Sequence, residues 1–345
     1  MNYKNYLFNF SASYRGGGYK RLYEFVSYFN ENGGANFILH PNCKKLQFEF
    51  PNNTYFFIEQ TKWDRIFIEN QYLKDIIRCI PKIDFYYSYG IAIYSKIAKL
   101  NWFHLSNVLP LFQKNIPLTL MEKMRMSFLG YRIRKNFKNA DVISAESNYS
   151  LELIKNLSDA NLVLSVNGSD DELSNLSKWN KVSKGDFAVI LGTYKYKAVG
   201  DSVKIFIHLK KNNPNLKLVI IGDSKCLSKE LFKNDDIIIK GLLSRKEVFK
   251  FLKEAKYYIS TTYIENSYNA ASEGIFFADE SYISNIEPHK ELLENMKFEL
   301  VKLDNLDREI IYIKRDQVST DNVKVWRQVI SDMIRIVQEK NNLQY

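Results

Sequence analysis

Apolar positions in this 345-residue chain fall into short unbroken runs, separated by stretches in which they recur every three or four residues. The first run, Tyr6 to Phe10, reads as a strand. It leads into Ser11-Ala-Ser-Tyr-Arg15-Gly16-Gly17-Gly18. Leu22, Phe25, Val26 and Phe29 then share one face of a helix predicted over 19–32. Gly33-Gly34 closes that helix, and Phe37-Ile-Leu-His40 is the next strand. Strand, glycine turn, helix and strand together open a Rossmann-like βαβ unit.

The alternation continues. Strands are expected at 55–58 and 84–87, a helix at 91–100, and a strand end or loop at 101–105. A long helix covers 118–137. Strand 141–144, helix 147–157 and strand 162–166 complete a first domain, 1–166. The polar, turn-rich segment 167–186 reads as a linker. A second alternation follows in 187–317, with strands at 187–191, 216–221, 237–239, 257–259 and 281–284 and helices at 202–211 and 246–254. The expected fold is therefore α/β, with two Rossmann-like domains facing across a cleft. The remainder, 318–345, carries an amphipathic helix over 320–340 with Val323, Trp326, Ile330, Met333 and Val337 on one face. That stripe has to be buried, and packing back on the first domain is one way to do it.

Composition narrows the class. With 46% apolar and 26% charged residues, the chain can build cores and is neither disordered nor membrane-spanning in type. The net charge of +10 favours an anionic partner such as a phosphate-rich ligand or an anionic membrane surface. No nucleic-acid recognition motif accompanies it, so nucleic acid is not expected. Cys43, Cys79 and Cys226 are odd in number and far apart, and the histidines are scattered. This argues for a reducing compartment and against a metal site or disulfide framework. No signal segment or transmembrane run is readable. The chain is expected in the cytoplasm, meeting the inner face of the cell membrane only peripherally.

The densest candidate chemistry lies at Tyr257-Tyr-Ile-Ser-Thr-Thr-Tyr-Ile-Glu265-Asn-Ser-Tyr-Asn-Ala-Ala-Ser-Glu273-Gly274. A strand ends in a hydroxyl-rich turn, and an acid, a small-residue helix and a second acid follow. Eight helical positions rise roughly 12 Å, near the span from the ribose to the sugar of a nucleotide sugar. The amides between the two acids would sit at a helix N-terminus, where phosphate binds well.

In its order of motifs the chain resembles the two-domain retaining glycosyltransferases of the GT-B architecture that carry an E-x7-E signature, the group 1 or family 4-like type found in bacterial surface-polysaccharide synthesis. The resemblance spans roughly residues 8 to 300. It rests on Gly16-Gly17-Gly18, Trp102-Phe-His104, Ile143-Ser-Ala-Glu146, Asn167-Gly168, Gly192-Thr-Tyr-Lys195-Tyr-Lys197, Leu218-Val-Ile-Ile-Gly222, the two glutamates, and Ser284-Asn-Ile-Glu-Pro-His289-Lys-Glu291.

The resemblance implies that the first domain faces the acceptor and the second binds the nucleotide sugar. In the second, Lys197 would neutralise charge growing on the departing diphosphate. Lys195 would be a second cation, because Thr193 stands where many members have arginine. The amides of Asn266, Ser267 and Tyr268 would cradle the phosphates, Glu265 the sugar hydroxyls and Glu273 the ribose hydroxyls. In the first, Gly16, Gly17 and Gly18 would allow close approach to the donor phosphate or the acceptor, and His104 would act near the sugar or acceptor without being a nucleophile. Neither a cofactor nor a metal is expected.

The reaction implied is transfer of a hexose from a UDP-, GDP- or dTDP-sugar to a glycan, with a polyprenyl-diphosphate-linked acceptor in O-antigen or capsule synthesis favoured. The basic, apolar-rich stretch 114–138 is compatible with an anionic bilayer surface and equally with a core-packed helix. Two other readings compete. One is a catalytically silent interaction protein with the same fold. The other is a Rossmann oxidoreductase, disfavoured because His40-Pro41-Asn42 stands where an acid would hold a ribose.

Overall fold

The computed structural model describes residues 3–59, 71–113, 116–169, 184–319 and 323–342. The chain divides into two compact units. One comprises Met1–Gln113, Leu120–Gly168 and Lys324–Tyr345, and the other Lys114–Thr119 and Ser169–Val323. Most of the expected linker, Lys114, and 320–322 lie outside the described residues.

In the first unit the elements run β1 (Tyr6–Asn9), α1 (Gly16–Glu31), β2 (Asn36–Leu39), α2 (Leu46–Glu49), β3 (Thr54–Phe57), α3 (Gln71–Cys79), β4 (Phe85–Tyr89), β5 (Leu100–Leu105), α4 (Leu120–Asn136), β6 (Val142–Ala145), α5 (Asn148–Ile154) and β7 (Asn161–Leu164). The sheet order is β3-β2-β1-β4-β5-β6-β7, parallel throughout. Strand order reverses between β1 and β4, and the loops leaving their carboxyl ends diverge there. That is the topological switch point at which open α/β sheets bind ligands.

The second unit follows the same plan: β8 (Gly185–Leu191), α6 (Val199–Asn212), β9 (Lys217–Ile221), β10 (Ile237–Gly241), α7 (Arg245–Glu254), β11 (Ala255–Ser260), α8 (Asn269–Phe277), β12 (Glu280–Ser284), α9 (Glu287–Leu292), β13 (Glu299–Val301) and β14 (Ile310–Lys314). Its order is β10-β9-β8-β11-β12-β14-β13. The switch point lies between β8 and β11. Pairing is parallel up to β12, and β14 and β13 then close that side antiparallel.

The first core is aromatic. Phe8 stacks on Phe37 at 5.1 Å between ring centroids and meets Phe25 and Phe85 edge-on at 5.8 Å. Such pairs add about 0.5–1.5 kcal/mol beyond area burial. Helix α10 (Trp326–Asn342) joins this core through Trp326, Ile330, Met333, Ile334 and Val337. Val323, expected on the same stripe, precedes the helix and packs against the second unit's core.

One expected element fails for an identifiable reason. Residues 91–99 are not helical. Asn101 Oδ1 accepts from the amides of Ile97 and Ala98 at 3.0 and 3.2 Å, and Asn101 Nδ2 donates to the Ala98 carbonyl at 2.8 Å. This local side-chain bonding takes the amides that a helix would need. Strands β13 and β14, short and paired antiparallel, went unpredicted. Among the described residues no helix is long and apolar enough to cross a membrane.

Candidate functional site

The second unit brings several of the nominated residues together at its switch point. After β8 the chain makes a tight 3-10 turn over Lys195–Lys197, and Ala198 then enters the left-handed region (φ 46°, ψ 48°) to start α6. After β11 comes the loop of Thr261, Thr262 and Glu265. The two loops are stitched together. The Tyr196 carbonyl accepts from the Tyr263 amide at 2.8 Å and from Thr262 Oγ1 at 3.1 Å. Thr261 Oγ1 donates to the Ala198 carbonyl at 2.8 Å and lies 2.6 Å from Ser202 Oγ. Arg308 holds the β11 loop from the other side. It donates to the Thr261 and Thr262 carbonyls and to Asp201 Oδ2, and its guanidinium lies 4.5 Å from the Tyr263 ring centroid. The hydroxyl-rich turn is thus a brace that fixes where Lys197 and Glu265 stand.

Lys197 Nζ donates to Glu265 Oε1, and both side chains are mostly buried (11% and 16% exposed). The two residues, nominated from separate motifs, form one ion pair. Glu273 makes a second: Arg245 Nη2 donates to its Oε1 at 2.6 Å. Glu273 sits one residue before Gly274 on α8. A Cβ at Gly274 would come within 2.1 Å of the Tyr258 ring, so the bare backbone lets α8 lie directly on β11 and sets the depth of Glu273. Lys195 is exposed at the start of its turn. Thr193, at the position where an arginine was sought, is buried and donates to the Asp223 carbonyl at 2.7 Å.

One expectation needs correction. Helix α8 begins at Asn269 with Tyr268 as its N-cap, so Asn266 and Ser267 precede the helix rather than form its first turn. The two acids are not joined by eight helical steps: Glu265 stands on the preceding loop and only Glu273 on the helix. Their separation is therefore set by the loop before Asn269 and not by helical rise alone. Buried Asn266, with Ser267 and Tyr268, forms the approach to the helix.

Arg245 and Arg308 carry charge to this site and escaped the sequence reading. For Arg245 a signal exists. Ser244 and Glu247 form a capping box, with Ser244 Oγ accepting from the Glu247 amide and Glu247 accepting from the Ser244 amide. S-x-x-E is readable and starts a helix at Arg245. Packing of α7 on α8, which is not readable, then brings it to Glu273. For Arg308, between β13 and β14, there was none. His289 is fully buried, and its Nδ1–H donates to the Ser284 carbonyl at 2.9 Å. Burial pushes its pKa down to about 4, with the Lys197 charge adding to the effect.

The first unit has a cavity of about 300 Å³ at its own switch point. The residues following β1 contribute Ser13, Arg15 and Gly18, the end of β4 contributes Tyr89, the residues after β5 contribute Asn107, and α4 contributes Leu129. Gly16, at φ +61°, and Gly17 have open space at the Cβ position. A Cβ at Gly18 would stand 3.3 Å from Ser13 Oγ and from the Tyr89 ring. Arg15, the N-cap of α1, is exposed beside them.

His104 does not reach this cavity. It is fully buried, and the Tyr89 ring stacks on it at 5.0 Å. Trp102 Nε1 donates to Ser144 Oγ at 2.7 Å, which leaves the Ser144 hydroxyl hydrogen for His104 Nδ1, also at 2.7 Å. Nε2–H of His104 then faces Glu146 Oε1 at 3.3 Å. Tyr89 donates to the same oxygen at 3.1 Å, and Arg21 lies 3.9 Å from it. Desolvation, reinforced by the Arg21 charge, lowers the His104 pKa to about 4, so the ring is neutral. A direct contact of His104 with sugar or acceptor is therefore not available in this structure; Tyr89 covers it. Strand β5 reads Trp-Phe-His-Leu, and its apolar neighbours are the signal that the histidine belongs to the core.

No protein-family model and no curated protein matches this sequence. Solved structures do match in fold. HepE from Anabaena, in complex with UDP and glucose, superimposes with a TM-score of 0.59 at 14% identity, covering 84% of this chain and 83% of that one. A glycosyltransferase from Rickettsia africae ESF-5 gives 0.58 at 16% identity, covering 84% and 81%. An α,α-trehalose 6-phosphate synthase from Burkholderia multivorans gives 0.54 at 10% identity, covering 86% of each. The α/β architecture read from the sequence is thus the observed one, and it is shared with structures of glycosyltransferases.

Proposed function

We propose that this chain is a glycosyltransferase that takes a hexose from a nucleotide sugar. The observation that carries the reading is the pair of acid–base contacts at the second unit's switch point, Lys197–Glu265 and Arg245–Glu273, flanking the approach to the N-terminus of α8. A nucleotide diphosphate needs fixed positive charge and amides on its phosphates and acceptors for its hydroxyls. This corner supplies each of them. Lys197 would meet the phosphate charge that grows as the bond from the anomeric carbon breaks. Glu273 would accept from the ribose hydroxyls and Glu265 from those of the sugar.

Uridine is the base to test first, since HepE is described with UDP and glucose. Transfer is assigned to the retaining class, as the E-x7-E spacing suggests. The bond from the anomeric carbon to the diphosphate breaks, and the bond to the acceptor oxygen forms on the same face. The acceptor proton passes to the leaving phosphate. No metal is assigned to this step. The acceptor is placed in the first unit's cavity, whose lining mixes Ser13, Arg15 and Asn107 with apolar walls, and a lipid-linked glycan of a bacterial surface polymer fits that mixture. The enzyme would work in the cytoplasm, against the inner face of the membrane.

The test is calorimetric titration with UDP, GDP and dTDP, followed by incubation with the matching sugars and a polyprenyl-diphosphate-linked acceptor. NMR of the product would read the anomeric configuration. Nucleotide binding lost in Glu273→Ala, with α-product from an α-donor, is expected. Failure of every nucleotide to bind would sink the reading. Binding without turnover on any donor would favour the silent interaction protein, for which no particular feature of the site otherwise speaks.

A further inference from the structure

Helix α4 is apolar on two opposite sides. Gly130 and Ile133 are buried, and Leu129 and Ile133 line the first unit's cavity. On the other side Leu120 (75% exposed), Met121 (82%), Met124 (65%), Phe128 and Tyr131 stand in solvent. At 3.6 residues per turn these five fall within an arc of about 100°. Lys123 and Arg125 lie to either side of that arc, both exposed, and Lys135 falls within it near the C-terminal end. A surface helix that only packs on a core buries one stripe and turns charge outward. This one turns a second apolar stripe outward and edges it with cations.

We propose that this outer face of α4 docks on an anionic lipid bilayer, with Met121, Met124 and Phe128 entering the headgroup–acyl boundary and Lys123, Arg125 and Lys135 meeting the phosphates. Charge complementarity selects the occupant. Glu122 is the one acid in the helix against five cations: Lys123, Arg125, Arg132, Arg134 and Lys135. An apolar stripe rimmed by Lys and Arg is the chemistry of an interfacial helix, whereas a protein partner's groove would need neither the basic rim nor its salt sensitivity. The inference extends the glycosyltransferase reading in one respect: the helix that would touch lipid also lines the cavity assigned to a lipid-linked acceptor, so docking and acceptor capture would share one element.

The experiment is co-sedimentation of the full chain with vesicles of phosphatidylcholine alone or mixed with phosphatidylglycerol, at low and high salt. Binding to the mixed vesicles is expected, weakened about tenfold or more by high salt or by Lys123→Glu with Arg125→Glu. Met121→Ser with Met124→Ser should weaken it similarly. Thermal melts and UDP titration confirm that the variants are folded. These residues lie outside the nucleotide site, so UDP binding should stay within about twofold. Wild-type protein that ignores anionic vesicles, or variants that bind as wild type does, would overturn the proposal. So would a dimer in sedimentation velocity that the methionine variant abolishes, since a second copy would then own the face. Vesicle binding without nucleotide binding would remove the glycosyltransferase reading alone; nucleotide binding without vesicle binding would remove this one alone.

Discussion

The two units share a topology and use its switch point in opposite ways. In the first, Arg15 stays exposed at the cavity, but a cluster of ionisable groups has been drawn beneath it. Arg21 and His104 are fully buried, Glu146 nearly so, and Tyr89 forms the lid over them. In the second, the two ion pairs are less deeply sunk: Lys197 and Glu265 keep 11% and 16% exposure, and Arg245 reaches buried Glu273 from a partly exposed position. A buried pair is costly to form and more costly to break, so it serves rigidity. A pair that is only partly sunk costs less to open, and can exchange its partner for a ligand's phosphate or hydroxyl. One fold thus holds a cavity braced from below and a site whose ion pairs are less deeply buried.

The sharpest way to break this contrast is to remove a charge from each side. Lys197→Ala should lower kcat for the proposed sugar transfer by about 10² to 10³, and it should cost less in urea unfolding than loss of the more deeply buried Glu146, because Lys197 and Glu265 keep 11% and 16% exposure. Glu146→Ala should act chiefly on stability. It removes the carboxylate charge beside buried Arg21, which keeps only its neutral acceptors on Ser165 and Asn167, and it removes the acceptor of Tyr89 and His104, costing on the order of 3–5 kcal/mol in urea unfolding. Glu146→Gln keeps an acceptor and should cost visibly less. If the two alanine variants had similar effects on stability, the division between bracing and available charge would be wrong.

The contrast narrows at two histidines, one per unit. His104 and His289 are both buried and neutral, each with its pKa lowered to about 4. The unfolded chain binds protons near pH 6.5 while the folded chain refuses them. Stability from each ring is therefore complete above about pH 6.5 and is lost as pH falls toward 4. The slope is about 1.4 kcal/mol per pH unit per histidine, on the order of 3 kcal/mol each in all. Urea unfolding at pH 7, 6 and 5 measures it before most carboxylates titrate. His104→Gln should halve the slope; an unchanged slope would mean that the ring is not held neutral.

What was legible in the sequence was local. Runs such as Leu218-Val-Ile-Ile and the stripe of α1 declare strand and helix through their own periodicity, and two rounds of alternation declare the α/β class. The glycine–lysine turn and the two acids were also legible, because each motif is short. What joins them was not. Asn101 silences a helix by binding amides three and four residues back, which periodicity does not register. The buried Arg21–Glu146 contact spans α1 and the end of β6, and Arg245 meets Glu273 only because α7 packs on α8. Helix α4 shows the same limit in another form. Its apolar residues are visible in the sequence, but which of them face the core and which face solvent is decided by the sheet beneath.

The smallest effect tests the comparison at the backbone. Each unit begins its first helix with a residue in the left-handed region. In the first unit it is Gly16 at φ +61°, in the second Ala198 at φ 46°. An L-residue there costs roughly 1–2 kcal/mol, partly offset because glycine loses more entropy on folding, by roughly 0.5–1 kcal/mol. Gly16 has open space where a Cβ would stand, so Gly16→Ala should cost about 1 kcal/mol, strain less the entropy offset, with no clash added. Ala198→Gly should return a gain of up to about 1 kcal/mol, since the contact that matters at this position is the Ala198 carbonyl accepting from Thr261 Oγ1, which glycine keeps. The double variant should then melt within about 2 °C of wild type. If Ala198→Gly instead destabilises, the methyl group is packing against the stitched loops, and the second unit has spent backbone strain to hold Lys197 and Glu265 in place, something the first unit, with glycine at the same turn, does not do.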